Sequence, residues 1–264
     1  FLSNPNPRVG CVLVGADGQV IGEGHTQRAG GPHAEVMALA QARERGQATA
    51  GATAYVTLEP CSHHGRTGPC CEALIAAGIT RVVASIEDPN PKVSGRGFDR
   101  LRAAGIAVET GPGAAQSREL NIGFFSRMQR GVPWVRVKTA ASLDGKTALP
   151  NGTSQWITSQ SARDDGHAWR ARACAVLTGI GTVLADNPRL DARAVSTPRQ
   201  PHLAVLDSRL RTPPDAVLLG VQQRHVWIYT AGDDPARAAA LTITAARCSS
   251  ASRTGCSRLA HHAL

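Results

Sequence analysis

GPHAEVMALA (31–40) and TLEPCSHHGRTGPC (57–70) are the two stretches on which the reading of this chain turns. The first holds His33-Ala34-Glu35; the second holds Glu59-Pro60-Cys61 and, at the far end of a loop, Pro69-Cys70. One imidazole and two thiols can hold a zinc ion and leave its fourth position for water. Zinc lowers the pKa of such a water to about 7, and a glutamate two residues from the histidine can move protons to and from it. His33 opens an apolar run (VMALA, 36–40) that Gly46 closes, which predicts the first turn of a helix. Pro69 suits the first turn of a second helix. Cys70 and Cys71 would then stand where backbone N–H groups point outward and favour a thiolate. A closed structural zinc site is the competing reading, with Cys71, His63 or His64 as fourth ligand, but it leaves the His-x-Glu spacing without a purpose. Cys11, inside VGCVLV (9–14), reads as a small buried hydrophobe, and Cys71 as core.

Around these stretches the first half alternates strand and helix patterns. VGCVLV (9–14) and QVIGEG (19–24) flank a turn, Gly15-Ala-Asp-Gly18, and predict a hairpin. TAYVTL (53–58), RVVASI (81–86) and IAVET (106–110) predict further strands. Helices are expected at Pro69–Ala77, closed by Gly78, and at Gly97–Ala104, closed by Gly105. This is a layered α/β sheet with ligand residues at helix starts after strands. The stretch 114–130 reads as one connecting helix, and PWVRVKTAAS (133–142) as a strand entering a polar turn, Leu143-Asp144-Gly145-Lys146. A helix near Ser159–Ala173, then CAVLTGIGTVLADNP (174–188) and the strands HLAVLD (202–207) and HVWIY (225–229), complete the second half. From about Thr242 the chain loses strand and helix periodicity.

Composition narrows the function classes. The 264 residues suit one large or two ordinary domains, and 42% hydrophobic against 19% charged residues argues against global disorder. No apolar run approaches the roughly 20 residues of a membrane span. The opening residues show no basic segment followed by an apolar one, so no secretory signal is expected. Seven cysteines, an odd count, together with a zinc site predict a reducing cytoplasm. The net charge of +9 suits nucleic acid, anionic membrane or phosphorylated small molecules. The charge is scattered and aromatic residues are only 4%, which offers few stacking platforms for bases, so a phosphorylated metabolite is the expected partner. No nucleic acid or membrane partner is expected, and self-association into a homo-oligomer is left open.

The combined pattern resembles the bifunctional riboflavin-biosynthesis deaminase–reductase family. The stretches that carry the resemblance are NPNPRVGCVLV, GPHAEVMAL, TLEPCSHHGRTGPC, EDPNPKVSGRGF, VRVKTAASLDGKTA, SQWITS and GIGTVLADNPRLDAR, and it runs to about Tyr229. It implies a cytidine-deaminase-like three-layer α/β/α domain followed by a dihydrofolate-reductase-like α/β domain. It implies Zn2+ and NADPH as cofactors. The activity implied is deamination of a diamino-hydroxy-pyrimidine ribosylamine phosphate, then reduction of its ribosyl side chain to ribityl. The implied layout is a deaminase domain at 1–113, a connecting helix at 114–131, a reductase domain at 132–241 and an irregular tail at 242–264.

Residue by residue, the resemblance implies zinc at His33, Cys61 and Cys70, with Glu35 as the proton shuttle. Asn6 would face the pyrimidine, and His63 and Arg66 the ribose phosphate. Ala140, Trp156, Thr182, Asp186 and Ser208 match positions that line NADPH. Ser154, Arg170, Leu190 and Arg193 match positions that line the ribosylated pyrimidine. The family continues with a strand and a glycine-rich turn for the NADPH phosphates, and nothing after Leu241 resembles them. The chain also opens without an initiator methionine. It therefore reads as a fragment with an incomplete reductase half, whose end is a flexible tail or a shifted reading frame. Two other readings stay open: a deaminase that edits tRNA, and a non-catalytic zinc-stabilised module.

Overall fold

The computed structural model describes residues 2–63, 68–232, 234–243 and 246–250, with residues 243 and 246–250 by backbone alone. The chain divides into two units, Leu2–Val135 and the residues from Arg136 onward.

In the first unit, β1 (Gly10–Val14) and β2 (Val20–His25) form the expected hairpin, followed by α1 (Ala34–Glu44) and β3 (Thr53–Val56). Then come α2 (Cys70–Ala76), β4 (Arg81–Ala84), α3 (Arg96–Ala103) and β5 (Ala107–Thr110). The strands lie in the order β2-β1-β3-β4-β5. β1 runs antiparallel to both of its neighbours, while β3, β4 and β5 are parallel. β2, β3 and β4 therefore point the same way, and the loops that leave their C-terminal ends share one edge of the sheet. Period-two alternation sends Cys11, Leu13, Ala54, Val56, Val82 and Ala84 into a core shared with Leu74 of α2 and Phe98 and Leu101 of α3.

α1 packs closely on β2. Gly22 and Gly24, two residues apart, leave one face of β2 bare. A Cβ on Gly24 would lie 2.3 Å from the Ala34 carbonyl oxygen, and one on Gly22 would lie 2.3 Å from that of Ala38. Ala34, Ala38 and Ala42 recur every four residues, line one side of α1 and are buried. Small residues on both elements thus let helix backbone rest on strand backbone, which sets the height of the α1 N-terminus above the sheet.

The stretch expected as one connecting helix is two: α4 (Ala114–Leu120) and α5 (Ile122–Arg130). Asn121 breaks it. Its Oδ1 accepts the Arg8 backbone N–H at 2.7 Å, its Nδ2 donates to the Arg8 carbonyl at 2.9 Å, and Arg8 Nη1 donates to the Leu120 carbonyl at 2.8 Å. The Ser117 hydroxyl donates to the Thr57 carbonyl. These bonds tie both helices into the first unit.

The second unit contains α6 (Gln160–Arg172), β6 (Ala175–Gly179), α7 (Ile180–Asp186), β7 (His202–Leu206), β8 (Val226–Thr230), α8 (Pro235–Ile243) and β9 (Ala246–Ser250). Ser159 caps α6, its hydroxyl accepting the Ala162 N–H at 3.3 Å. The sheet is parallel in the order β6-β7-β8-β9, over a core that includes Val183, Leu203, Val205, Leu218, Ile228 and Leu241.

Two expectations fail here. PWVRVKTAAS forms no strand, and Val135 and Val137 are 72% and 79% exposed. A strand exists by exchanging backbone hydrogen bonds with a neighbour, and 133–142 pairs with no strand among the described residues. Only its polar turn forms, with Ser142 N–H donating to the Lys146 carbonyl at 2.9 Å. The second failure is the tail, expected to be irregular from residue 242. Ala246–Ser250 pairs in parallel with β8 as β9, a backbone register that needs no apolar alternation. The rest of that tail, 251–264, lies outside the described residues. No helix among the described residues is long and apolar enough to cross a membrane.

Candidate metal centre and ligand sites

The shared sheet edge explains why distant residues meet. His33 is the N-cap of α1, reached from the end of β2; Cys61 follows β3; and Cys70 opens α2 behind its N-cap, Pro69. His33 Nδ1 stands 3.3 Å from Cys70 Sγ and 3.5 Å from Cys61 Sγ, and all three donor atoms lie within 4.8 Å of one another. A tetrahedral zinc with bonds of about 2.0 Å to nitrogen and about 2.3 Å to sulfur sets such ligands roughly 3.5 Å apart. The donor set and its spacing therefore fit zinc. Among the described residues no fourth His, Cys, Asp or Glu joins the cluster. Cys71 is fully buried in the sheet core, His63 is exposed, and His64 lies outside the described residues. Cys11 is buried in the same core.

The electrostatics suit a metal site. The two thiols are pulled in opposite directions. The hydrogen bond from the Cys70 thiol draws Cys61 down to about 4, and donating that bond drives Cys70 well above the thiol range. The Cys70 backbone N–H, at the start of α2, adds a bond of 3.3 Å to Cys61 Sγ. The hydrogen bond to Cys61 raises His33. Burial pushes Glu35 up to about 7, with the Cys61 thiolate adding to the shift. Glu35 is 3% exposed, so a carboxyl poised near neutrality sits beside the three donors.

The other expected residues scatter more widely. Asn6 lies half-buried in the turn before β1, its N–H donating to the Ser3 carbonyl at 2.8 Å. Arg66 lies outside the described residues. In the second unit, β6 and β7 are parallel with Gly179 opposite Leu206. Thr182, in the first turn of α7, and Ser208, just past β7, therefore share the C-terminal edge of that sheet, the usual place for a ligand crevice. Asp186 ends α7. Arg170, Leu190 and Arg193 converge on Asp191: Arg170 Nη1 donates to its backbone carbonyl at 3.2 Å, and Arg193 Nη1 reaches its carboxylate at 2.6 Å. Leu190, next to it, has a left-handed φ of 51°. Ala140, Ser154 and Trp156 lie in the irregular stretch before α6, where the Arg163 guanidinium stacks 4.4 Å over the Trp156 ring.

Among the buried carboxylates that sequence reasoning missed, Asp191 and Glu59 stand beside the expected site residues. Asp191 is 3% exposed and also pairs with Arg189 at 2.8 Å. Burial alone would raise its pKa, and the hydrogen bonds from Arg189 and Arg193 outweigh that and hold it below the usual range. An acidic residue between two arginines in RLDAR was the available signal. Glu59, two residues before Cys61, is 4% exposed and accepts four backbone N–H groups.

Comparison with known proteins divides the chain in the same order. Residues 2–86 match the family described as the cytidine and deoxycytidylate deaminase zinc-binding region, and residues 133–249 match the RibD C-terminal domain. The riboflavin biosynthesis protein RibD of Escherichia coli (strain K12) is 53% identical over 226 residues, covering 81% of this chain and 60% of that protein. RibD of Aquifex aeolicus (strain VF5) is 46% identical, covering 86% and 63%. The chain thus spans about 60% of the length of these curated relatives. Among solved structures, Acinetobacter baumannii RibD superposes with a TM-score of 0.81 at 44% identity, covering 96% of this chain and 69% of that one. A diaminohydroxyphosphoribosylaminopyrimidine deaminase/5-amino-6-(5-phosphoribosylamino)uracil reductase from Thermotoga maritima gives a TM-score of 0.81 at 36% identity, covering 94% and 75%.

Proposed function

Because the chain belongs to the RibD family of riboflavin-biosynthesis proteins, we propose that its Leu2–Val135 unit is a zinc-dependent deaminase of a phosphorylated diamino-hydroxy-pyrimidine ribosylamine. The residues from Arg136 onward belong, in this reading, to an NADPH-dependent reductase acting on the ribosyl side chain of the deaminated product. The cytoplasm is the expected compartment, and phosphorylated pyrimidines rather than nucleic acid are the partners.

The observation that carries the deaminase reading is the convergence of His33 Nδ1, Cys61 Sγ and Cys70 Sγ beside a buried Glu35. Zinc held by those three residues would supply a water acidified to about pKa 7 for attack on the amino-bearing ring carbon. Glu35 does the proton work. Its buried carboxyl stands beside the three donors, so it can accept a proton from that water and pass it toward the leaving ammonia. The backbone N–H of Cys70 helps keep Cys61 anionic as a ligand. Asn6 and His63 are assigned to the deaminase substrate.

For the second unit, Thr182 and Ser208 at the sheet edge, with Ala140, Trp156 and Asp186, are assigned to NADPH. Ser154, Arg170, Leu190 and Arg193 are assigned to the pyrimidine substrate. Arg170 and Arg193, held together around Asp191, are the residues suited to grip a phosphate.

The test is zinc content together with ammonia release from the diamino-pyrimidine ribosylamine phosphate, with tRNA as the competing substrate. One zinc per chain and ammonia from the small molecule are expected. Ammonia from tRNA alone would favour the editing reading, and zinc without ammonia from either substrate would favour a non-catalytic module.

A further inference from the structure

EDPNPKVSGRGF (87–98) has no role in the chemistry above, yet it surrounds Glu59. Glu59 Oε2 accepts the N–H of Asp88 at 3.1 Å and of Gly95 at 2.9 Å. Oε1 accepts the N–H of Gly97 at 2.8 Å and of Phe98 at 3.4 Å. These donors come from the loop after β4 and the first turn of α3, where the helix dipole favours an anion. The fit is close on the other side as well: a Cβ on Gly97 would lie 2.0 Å from the Pro60 carbonyl oxygen and 3.0 Å from Glu59 Oε1.

Glu59 is joined to the ligand Cys61 by one residue, Pro60, whose ring fixes φ. Beyond Pro60, Cys61 is held again: its carbonyl accepts the Cys71 N–H at 3.2 Å and its sulfur the Cys70 N–H at 3.3 Å. The Glu59–Cys61 segment is therefore pinned at both ends by backbone donors from two different helices.

We infer that Glu59 is a positioning residue for the metal centre: its caged carboxylate fixes the Cys61 backbone before metal arrives, so that the sulfur already stands at ligand spacing from His33. The inference rests on the zinc reading of this site. It also gives Gly95 and Gly97 a function, since the cage needs the left-handed φ of 80° at Gly95 and the absence of a side chain at Gly97.

The experiment measures zinc affinity on the full chain by competition with a chromogenic chelator, alongside urea unfolding of the metal-free protein. In Glu59→Gln one carboxylate oxygen becomes an NH2 that faces two N–H groups, whichever way the amide is turned. Partners of metal ligands typically contribute 10- to 100-fold in affinity, and a loss of about that size is expected. The visible spectrum of the cobalt-substituted variant should change as the Cys61 sulfur moves. Val82→Ala, a truncation in the β4 core, is the comparison that lowers stability without touching the cage. It should keep the affinity of the unaltered protein.

Glu59→Gln binding as tightly as the unaltered chain would overturn the inference. So would Val82→Ala losing affinity in proportion to its loss of stability. If Glu59→Gln does not fold, hydrogen exchange on the unaltered chain decides. The amides of Gly95 and Gly97 should stay protected after chelator treatment, and exchange at the rate of exposed amides would show that metal, not Glu59, builds the cage. An unaltered chain that takes up no zinc would instead refute the zinc reading itself, and the inference with it.

Discussion

Gly24→Ala tests whether the α1–β2 contact sets the position of the metal centre. The new Cβ would lie 2.3 Å from the Ala34 oxygen, 2.5 Å from the Ala38 nitrogen and 2.7 Å from the Met37 Cβ. The first two are backbone atoms of α1, so no flexible side chain can yield. Restoring an ordinary carbon–oxygen contact of about 3.3 Å requires α1 to lift by roughly 1 Å. Overpacking of this kind costs about 1–3 kcal/mol. Taking about 2 kcal/mol, the melting temperature of a unit this size should fall by roughly 5–10 °C. The lift is felt where it matters, because Ala34 lies between His33 and Glu35. A displacement of about 1 Å at a reacting group can cost on the order of 100-fold in rate. Thermal unfolding and ammonia release would be measured together. Gly123→Ala is the control: its Cβ would have nothing within 4 Å, and in α5 it should be neutral or stabilise by up to about 1 kcal/mol. A Gly24→Ala protein with unchanged melting temperature and turnover would refute the claim that backbone contact with β2 sets the height of α1.

Three further outcomes are expected. Glu35→Gln should lower deamination by about 100- to 10,000-fold while zinc content stays at one, since the carboxyl moves protons but is not a ligand; retained turnover would assign the proton to another group. Burial raises Asp88 to about 6, against about 3.9 in the unfolded chain, so the folded protein binds more protons between these values and its stability should fall as pH rises from about 4 to about 6. Asp88→Asn should flatten that part of a urea-midpoint profile, and an unchanged slope would place the titration elsewhere. Asp191→Asn weakens ion pairs to the half-exposed Arg189 and Arg193, so a cost of about 1–2 kcal/mol is expected in urea unfolding. With the reductase substrate, the same variant should raise the Kd for the phosphorylated form more than for a dephosphorylated one; equal shifts would remove the arginines from the phosphate.

The local chemistry and most of the elements of the first unit are legible in the residues alone. His-x-Glu and the two proline–cysteine pairs name the donors, because ligand type and proton shuttle are properties of side chains. Apolar alternation in VGCVLV and TAYVTL marks strands, because the pleat has a period of two. The features made by partners distant in the chain emerge only once it is folded. PWVRVKTAAS has the residues of a strand but pairs with no described strand, whereas ARCSS lacks apolar alternation and pairs with β8. Asn121 splits a helix-like stretch because Arg8, far away in sequence, offers it a donor and an acceptor. Glu59 gains its part only where β4 and α3 bring four amides onto its carboxylate. A side chain's type is written at its own position, but the backbone donors that satisfy it come from whichever segments the sheet order places beside it.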